Sequence, residues 1–347
     1  MNSAKFVETF CRYQKSETIN LMFSLEQYSS LIEGQLKQLA IGSKIPAGLY
    51  EPVDYVMAAG GKRVRPMLTL MACHLFSDDI SKALMPALAL EFFHNFTLLH
   101  DDVMDHADIR RNRPTVHKRW NESTAILSGD AMIILAYQLM CRAHTEILPV
   151  LLDTFTRTAL EVCEGQQYDM DFEQRTNVCI DEYLHMIRLK TAVLLAACLK
   201  TGAICGGATS ANSESLYRFG ISLGLTFQIQ DDWLDVYADP DVFGKAIGGD
   251  ILSGKKTFLL LTAFERADEK THGELCALLN DQKLSASEKI SSVKAIYDRL
   301  GVSDVARQAI DTYYQQAILH LREVTAPDPS RKAILEEFAA KLLKREK

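Results

Sequence analysis

The chain of 347 residues carries a net charge of −7 at pH 7, which argues against nucleic acid as its main partner. Apolar residues make up 48% of it, and that share permits a large core without disulfides. The eight cysteines form neither a CxxC pair nor a Cys/His metal spacing, so we expect mostly buried, reduced thiols.

The first residues contain no basic segment followed by an apolar core, so we expect no signal peptide. The longest continuous apolar runs, such as residues 192–199, fall well short of the ~20 residues that span a bilayer. Together these features predict a soluble, cytoplasmic protein without an integral membrane segment.

Helical periodicity begins at residues 17–39, where apolar residues recur at three- and four-residue steps, and continues in a short helix over 48–57. The sequence Gly-Lys-Arg-Val-Arg-Pro at 61–66 then leads into a helix over about 66–76. A glycine-containing basic loop before a helix N-terminus is typical of an anion site, although a solvated basic loop is the simpler alternative.

A long helix over about 81–105 ends in an acidic DDxxD cluster of Asp101, Asp102 and Asp105. His94 and Thr97 fall on the same face as Asp101. Carboxylates four residues apart have Cβ atoms ~5–6 Å apart and can bridge one divalent ion or share two. The basic residues 110–115 that follow are predicted to form a loop.

Four more helices are predicted, over about 128–144, 148–172, 180–201 and 213–237. The third carries Lys190 and Thr191 within an apolar run, where a lysine needs a partner or a route to water. The fourth carries Gln228 and a second DDxxD cluster with Asp231 and Asp235. A glycine- and lysine-bearing loop follows it, and amphipathic helices extend to residue 347.

No sustained strand alternation or nucleotide-binding fingerprint is present, so the fold prediction is all-α. We expect one domain over 1–347, a bundle of ten or more helices around a central cavity with the aspartates facing each other across its mouth. Aspartates without cysteine or histidine ligands suit Mg²⁺, which bridges carboxylates to phosphate. With lysines and arginines nearby, they favour a diphosphate that carries a hydrocarbon tail.

The chain resembles the trans-isoprenyl diphosphate synthases (polyprenyl synthetases) over nearly its whole length. The matching motifs, in order, are Gly-Gly-Lys-Arg-Val-Arg-Pro at 60–66, the first DDxxD with Arg110-Arg111 and Pro114-Thr115, Ser128-Gly129-Asp130, Gly165-Gln166, Lys190-Thr191, Phe227 to Asp232, and Gly254-Lys255-Lys256-Thr257. One departure is Asn112, where the family often has glycine.

The resemblance implies head-to-tail condensation of isopentenyl diphosphate with an allylic diphosphate, with about three Mg²⁺ ions per site. The implied metal residues are Asp101, Asp105 and Asp231, with Asp102 and Asp235 in supporting or water-mediated roles. The implied contacts of the allylic diphosphate are Arg110, Lys190, Thr191, Gln228, Lys245 and Lys255. The implied contacts of isopentenyl diphosphate are Lys62, Arg65, His94 and Arg111.

Product length follows from the same resemblance, in which the residues just before the first DDxxD form the floor of the tail tunnel. Phe96 and Thr97 stand five and four residues before Asp101. This pattern resembles that of short-chain synthases, so a C20 product is favoured over C15. The resemblance also implies a homodimer.

Four alternatives stay open at this stage. They are a medium- or long-chain polyprenyl diphosphate synthase, a terpene cyclase, a non-catalytic partner subunit of the same fold, and a helical scaffold with solvated acidic patches. The second DDxxD and the basic isopentenyl residues count against a cyclase. A non-catalytic subunit would be expected to lose an aspartate cluster or a basic contact, and neither is lost.

Overall fold

The structure, a computed structural model, describes residues 23–238 and 247–343. The helices in this part of the chain are α1 Leu25–Gln38, α2 Ala47–Met57, α3 Val64–His74, α4 Leu84–Met104, α5 Val116–Arg119, α6 Glu122–Met140, α7 Leu148–Gln174, α8 Ile180–Ile187, α9 Val193–Cys205, α10 Ser210–Tyr237, α11 Gly249–Ser253, α12 Phe258–Arg266, α13 Glu269–Asn280, α14 Ala286–Leu300, α15 Val302–Glu323 and α16 Lys332–Leu343. Short 3-10 turns lie at Ile41–Ser43, Ile80–Ala83 and Pro329–Arg331, and a π-helical segment at Arg188–Ala192 joins α8 to α9. The all-α prediction is confirmed.

Most predicted helices agree with the structure to within a few residues, but the predicted start of the helix at Ser128 is wrong. Helix α6 begins at Glu122, because the Asn121 side chain accepts a hydrogen bond from Thr124 N at 2.8 Å and caps the first turn. Gly129 lies inside the helix, where a Cβ would overlap the His100 imidazole of α4. Glycine at this position therefore allows α4 and α6 to pack closely.

The predicted basic loop after α4 is a short β-hairpin. Strands β1 Ile109–Arg110 and β2 Arg113–Pro114 pair antiparallel around the two-residue turn Arg111-Asn112. Both turn residues have positive φ, +51° and +58°, as a tight hairpin turn requires. Asparagine adopts this conformation readily, so Asn112 replaces the family's glycine without disrupting the turn.

Two hydrophobic clusters form the core. One includes buried residues of α3, α4, α6 and α9, and the other includes buried residues of α10, α12, α14 and α15. Ile221 of α10 packs against both clusters. Helix α10 thus contributes to both clusters.

The cysteine prediction was wrong for several positions. Cys73, Cys198 and Cys205 are buried, whereas Cys141 and Cys179 are exposed at helix ends. Cys163 is also exposed, on α7, and Cys276 is intermediate; all seven described cysteines are free. A helix end has fewer neighbours to cover a side chain, which the apolar character of cysteine alone does not reveal.

Helix α6 is long and apolar enough to cross a bilayer when judged by length and composition alone, and it is the one helix of the described chain that is. About half of it lies inside the protein, since 44% of its most apolar window is buried. Continuous apolar runs did not identify it because Ser128, Gly129 and Asp130 interrupt the pattern.

Candidate active site

The first aspartate cluster lies in the last turn of α4. Burial raises the pKa of Asp101 to about 6; the positive charge of Lys190 opposes that rise and Asp105 adds to it. Asp102 is buried and forms a 2.6 Å ion pair with Arg110 of β1. The structure thus separates the three carboxylates: Asp102 orients an arginine, whereas Asp101 and Asp105 share the end of the helix.

The second cluster lies near the end of α10, and its carboxylates also have different partners. Asp232 is buried and accepts hydrogen bonds from the Tyr183 hydroxyl and, at 3.0 Å, from the backbone N–H of Phe258. Burial raises the pKa of Asp232 to about 7. Asp235 accepts a 3.0 Å bond from Asp250 N. Asp232 therefore ties α8 and the start of α12 to α10.

Lys190 and Thr191 project from the π-helical segment Arg188–Ala192. The Lys190 ammonium lies 2.5 Å from the Asp169 carboxylate of α7, and the Thr191 hydroxyl donates to Gln228 Oε1 at 3.2 Å. Gly165 allows this approach, because a Cβ there would collide with the backbone of Lys190. The partner that Lys190 needs in its apolar run is thus the carboxylate of Asp169, which the sequence pattern did not predict.

Two lysines lie near the aspartate clusters. Lys190 acts on Asp101 of α4 while it pairs with Asp169. Burial alone would lower the pKa of Lys255, but the carboxylates of Asp169 and Asp250, followed by Asp232 and Asp105, raise it above its ordinary value. The hydrogen bond from Thr191 to Gln228 ties the segment that carries Lys190 to α10, so residues of α4 and α10 belong to one site.

A cluster of cations lies beside this site. Arg65 Nη1 is 3.0 Å from His94 Nε2, and Arg111 donates to the Gly60 carbonyl. Burial lowers the pKa of His94 well below 6.5, and the surrounding arginines lower it further. The buried Nε of Arg65 has no hydrogen-bond partner among the described residues. Two arginines beside a neutral histidine, with one buried guanidinium nitrogen left unpaired among the described residues, form a site that suits an anion.

Magnesium fits the acidic half of the site only together with a ligand. The donors are carboxylate oxygens, which Mg²⁺ prefers. Within residues 23–238 and 247–343, no three His, Cys, Asp or Glu side chains converge closely enough to hold an ion by themselves. Mg²⁺ binds through one or two carboxylates and completes its coordination with water and substrate phosphate. Asp101, Asp105 and Asp231 suit that mode of binding.

The predicted product-length residues lie one turn before the aspartates. The Phe96 ring contacts the His100 ring edge-on, with centroids 4.7 Å apart, and the Thr97 hydroxyl donates to His94 O at 2.8 Å. Lys245, predicted to contact the allylic diphosphate, lies outside the described residues. Sequence reading assigned no role to Asp250, although it directly follows Gly248-Gly249 and precedes Lys255 by five residues.

The chain is similar in sequence to known proteins over most of its length. The sequence model of the family described as Polyprenyl synthetase matches residues 46–300. The chain is 40% identical over 250 residues to the geranylgeranyl diphosphate synthase of Methanosarcina mazei, covering 72% of this chain and 77% of that protein. It is 36% identical over 319 residues to the short chain isoprenyl diphosphate synthase of Methanothermobacter thermautotrophicus, covering 91% and 96%.

A solved structure is equally similar. A crystal structure of a geranylgeranyl pyrophosphate synthase superposes with a TM-score of 0.89 at 42% sequence identity, covering 94% of this chain and all of that one. The similarity therefore includes the helical bundle and both elements that carry the aspartates.

Proposed function

This chain belongs to the polyprenyl synthetase family, and on that premise we propose that it condenses isopentenyl diphosphate head to tail with an allylic diphosphate to give geranylgeranyl diphosphate. It is a prenyltransferase that forms short-chain prenyl diphosphates. The observation that carries the proposal is geometric: Lys190 acts on Asp101 of α4, and the adjacent Thr191 bonds Gln228 of α10 at 3.2 Å. Arg65 lies beside His94 on the same helix as Asp101.

The acidic half would hold the allylic diphosphate through Mg²⁺ on Asp101, Asp105 and Asp231, with Asp102 and Asp235 supporting them. The metal supplies positive charge where the diphosphate gains negative charge as the allylic C–O bond breaks. Arg110, Lys190, Thr191, Gln228 and Lys255 would add hydrogen-bond donors and charges to the same leaving group. Lys245, which lies outside the described residues, is proposed to contact it as well.

The basic half would hold the second substrate. Lys62, Arg65, His94 and Arg111 would contact the isopentenyl diphosphate, whose double bond attacks the allylic cation and forms the new C–C bond. A proton is then lost from the condensed product, and the departing diphosphate accepts it. This route needs no side-chain base.

Product length is proposed to depend on Phe96 and Thr97 at the first turn of the tail tunnel. An aromatic ring at 96 with a small residue at 97 favours a C20 product over C15. Each helical turn of ~5.4 Å matches about one isoprene unit, so a residue one turn along α4 defines one condensation step.

A homodimer is proposed from the surface of α6. Ile126, Leu127 and Ile134 are 47%, 59% and 59% exposed on one helix, which is unusual for large apolar side chains in a monomer. A second copy of the chain would cover them. We place the protein in the cytoplasm.

The test is incubation with isopentenyl diphosphate, Mg²⁺ and allylic primers of C5, C10 and C15, with product length read by mass spectrometry. We expect an EDTA-sensitive release of diphosphate and a C20 product. Release of diphosphate without consumption of isopentenyl diphosphate would indicate a cyclase. No release with any primer would refute the enzymatic proposal.

A further inference from the structure

Arg63 adopts an unusual backbone conformation at the start of α3. Its φ of +46° lies in the left-handed region, which costs a non-glycine residue energy. Its side chain points inward rather than toward the loop: the residue is 4% exposed, unlike the neighbouring Lys62, which is exposed. Something must hold this arginine in place.

Three elements hold it. Arg63 Nη1 lies 2.8 Å from Glu91 of α4, Nε lies 2.8 Å from Glu33 of α1, and Nη2 donates to the Met57 carbonyl at the end of α2 at 2.6 Å. Burial alone would lower the pKa of Arg63, but Glu91 and Glu33 raise it. Only a guanidinium can satisfy three partners in this fork geometry.

Glu91 interacts with other residues besides Arg63. It is 2% exposed and also accepts a 3.1 Å hydrogen bond from Asn95 Nδ2. Its negative charge opposes the effect of burial on both Arg65 and Arg111. Glu91 lies one turn before His94 on α4. One buried carboxylate thus contacts Arg63 and acts through its charge on Arg65 and Arg111.

We propose that the buried Arg63–Glu91 pair positions the isopentenyl subsite: it fixes the loop and the first turn of α3 so that Lys62 and Arg65 face the diphosphate. Both are positioning residues, since their burial keeps them from the substrate. The inference rests on the proposed function and adds two residues to it.

The opposite expectation follows if Glu91 acts only through its charge. Removal of a negative charge would then strengthen the attraction for a diphosphate and lower the isopentenyl KM. Under the positioning role, the lost anchor loosens Lys62 and Arg65, and the KM rises. The direction of the change therefore separates the two roles.

Glu91→Gln keeps the size of the side chain and removes its charge, whereas Arg63→Lys keeps the charge and removes the fork. We expect each to raise the isopentenyl KM about tenfold and to change the allylic KM less than about twofold. Because Arg63 and Glu91 act as one unit, the double variant is expected to raise the isopentenyl KM no more than about tenfold. Glu274→Gln, which breaks the exposed Arg299–Glu274 pair, is the matched control and leaves both constants unchanged.

Breaking a buried pair also destabilises the fold, so thermal unfolding is measured on every variant. Should Glu91→Gln fail to fold, Glu33→Gln removes only the 40%-exposed partner and is expected to raise the isopentenyl KM about two- to threefold. An unchanged or lowered isopentenyl KM, or an equal rise in both constants, overturns the inference. Wild-type turnover tests the proposed function separately, whatever the variants do.

Discussion

The Lys190 ammonium, which projects from a π-helical segment, is paired at 2.5 Å with the Asp169 carboxylate of the facing helix α7. Asp169 holds the lysine toward the pocket, so we expect Asp169→Asn to lower kcat about tenfold. Lys190→Ala removes the charge itself and should cost about 10²-fold. Steady-state kinetics measure both. Asp153→Asn, which breaks an exposed pair on the same helix, is the control, and an Asp169→Asn enzyme with wild-type kcat would contradict this role.

Loss of the proposed metal ligands should affect turnover far more than loss of a neighbouring carboxylate. We expect Asp101→Ala and Asp231→Ala each to lower kcat by about 10²- to 10³-fold, since the charge on the leaving diphosphate is then poorly compensated. Asp108→Ala is the control, because that exposed carboxylate pairs with Lys118. EDTA should stop the wild-type reaction and excess Mg²⁺ should restore it; turnover in EDTA would exclude the metal.

Phe96→Ala should lengthen the product by about one isoprene unit, because it removes a ring five residues, ~7.5 Å along the helix axis, before Asp101. Product mass spectrometry measures the change. Leu98→Ala is the control: Leu98 lines a small pocket with Tyr55 and Arg110 behind the hairpin. The same product distribution from Phe96→Ala and wild type would remove Phe96 from this role.

His94 makes stability depend on pH. Its pKa in the folded chain lies well below 6.5, so below about pH 6.5 the unfolded chain binds a proton that the folded chain does not. The stability present above this pH is lost as pH falls, by up to about 1.4 kcal/mol per unit. Without diphosphate, His94→Gln should therefore lose less thermal stability than wild type between about pH 6.5 and 5.

Unfolding curves of His144→Gln, which changes an exposed histidine, are the comparison. Parallel pH profiles for His94→Gln and wild type would show that this imidazole carries the proton in both states.

The apolar face of α6 should determine the oligomeric state. Ile134→Glu places a charge on a side chain that is 59% exposed, and we expect it to convert a dimer to a monomer in light scattering. Leu319→Glu changes a similarly exposed residue of α15 and should leave the mass unchanged. A monomeric wild type would rule out the dimer.

Short-range patterns predicted the helices and the charged motifs, since each lies within a few residues of sequence. The partners of those motifs could not be predicted in the same way. Asp169 and Lys190 are 21 residues apart and meet only because Gly165 lets the π-helical segment approach α7. Gly129 was misread as a helix start because its role, close packing against His100, belongs to the tertiary structure.

The π-helical segment also has a consequence for local stability. Functional side chains often lie on loops, which open readily and exchange their amide hydrogens fast. Lys190 and Thr191 instead belong to a continuous helical rod whose neighbours Leu189 and Ala192 are buried. The segment adds its extra backbone residue without breaking the rod. Amide hydrogens here should consequently exchange as slowly as those of the core, although the segment carries two residues proposed to bind the diphosphate.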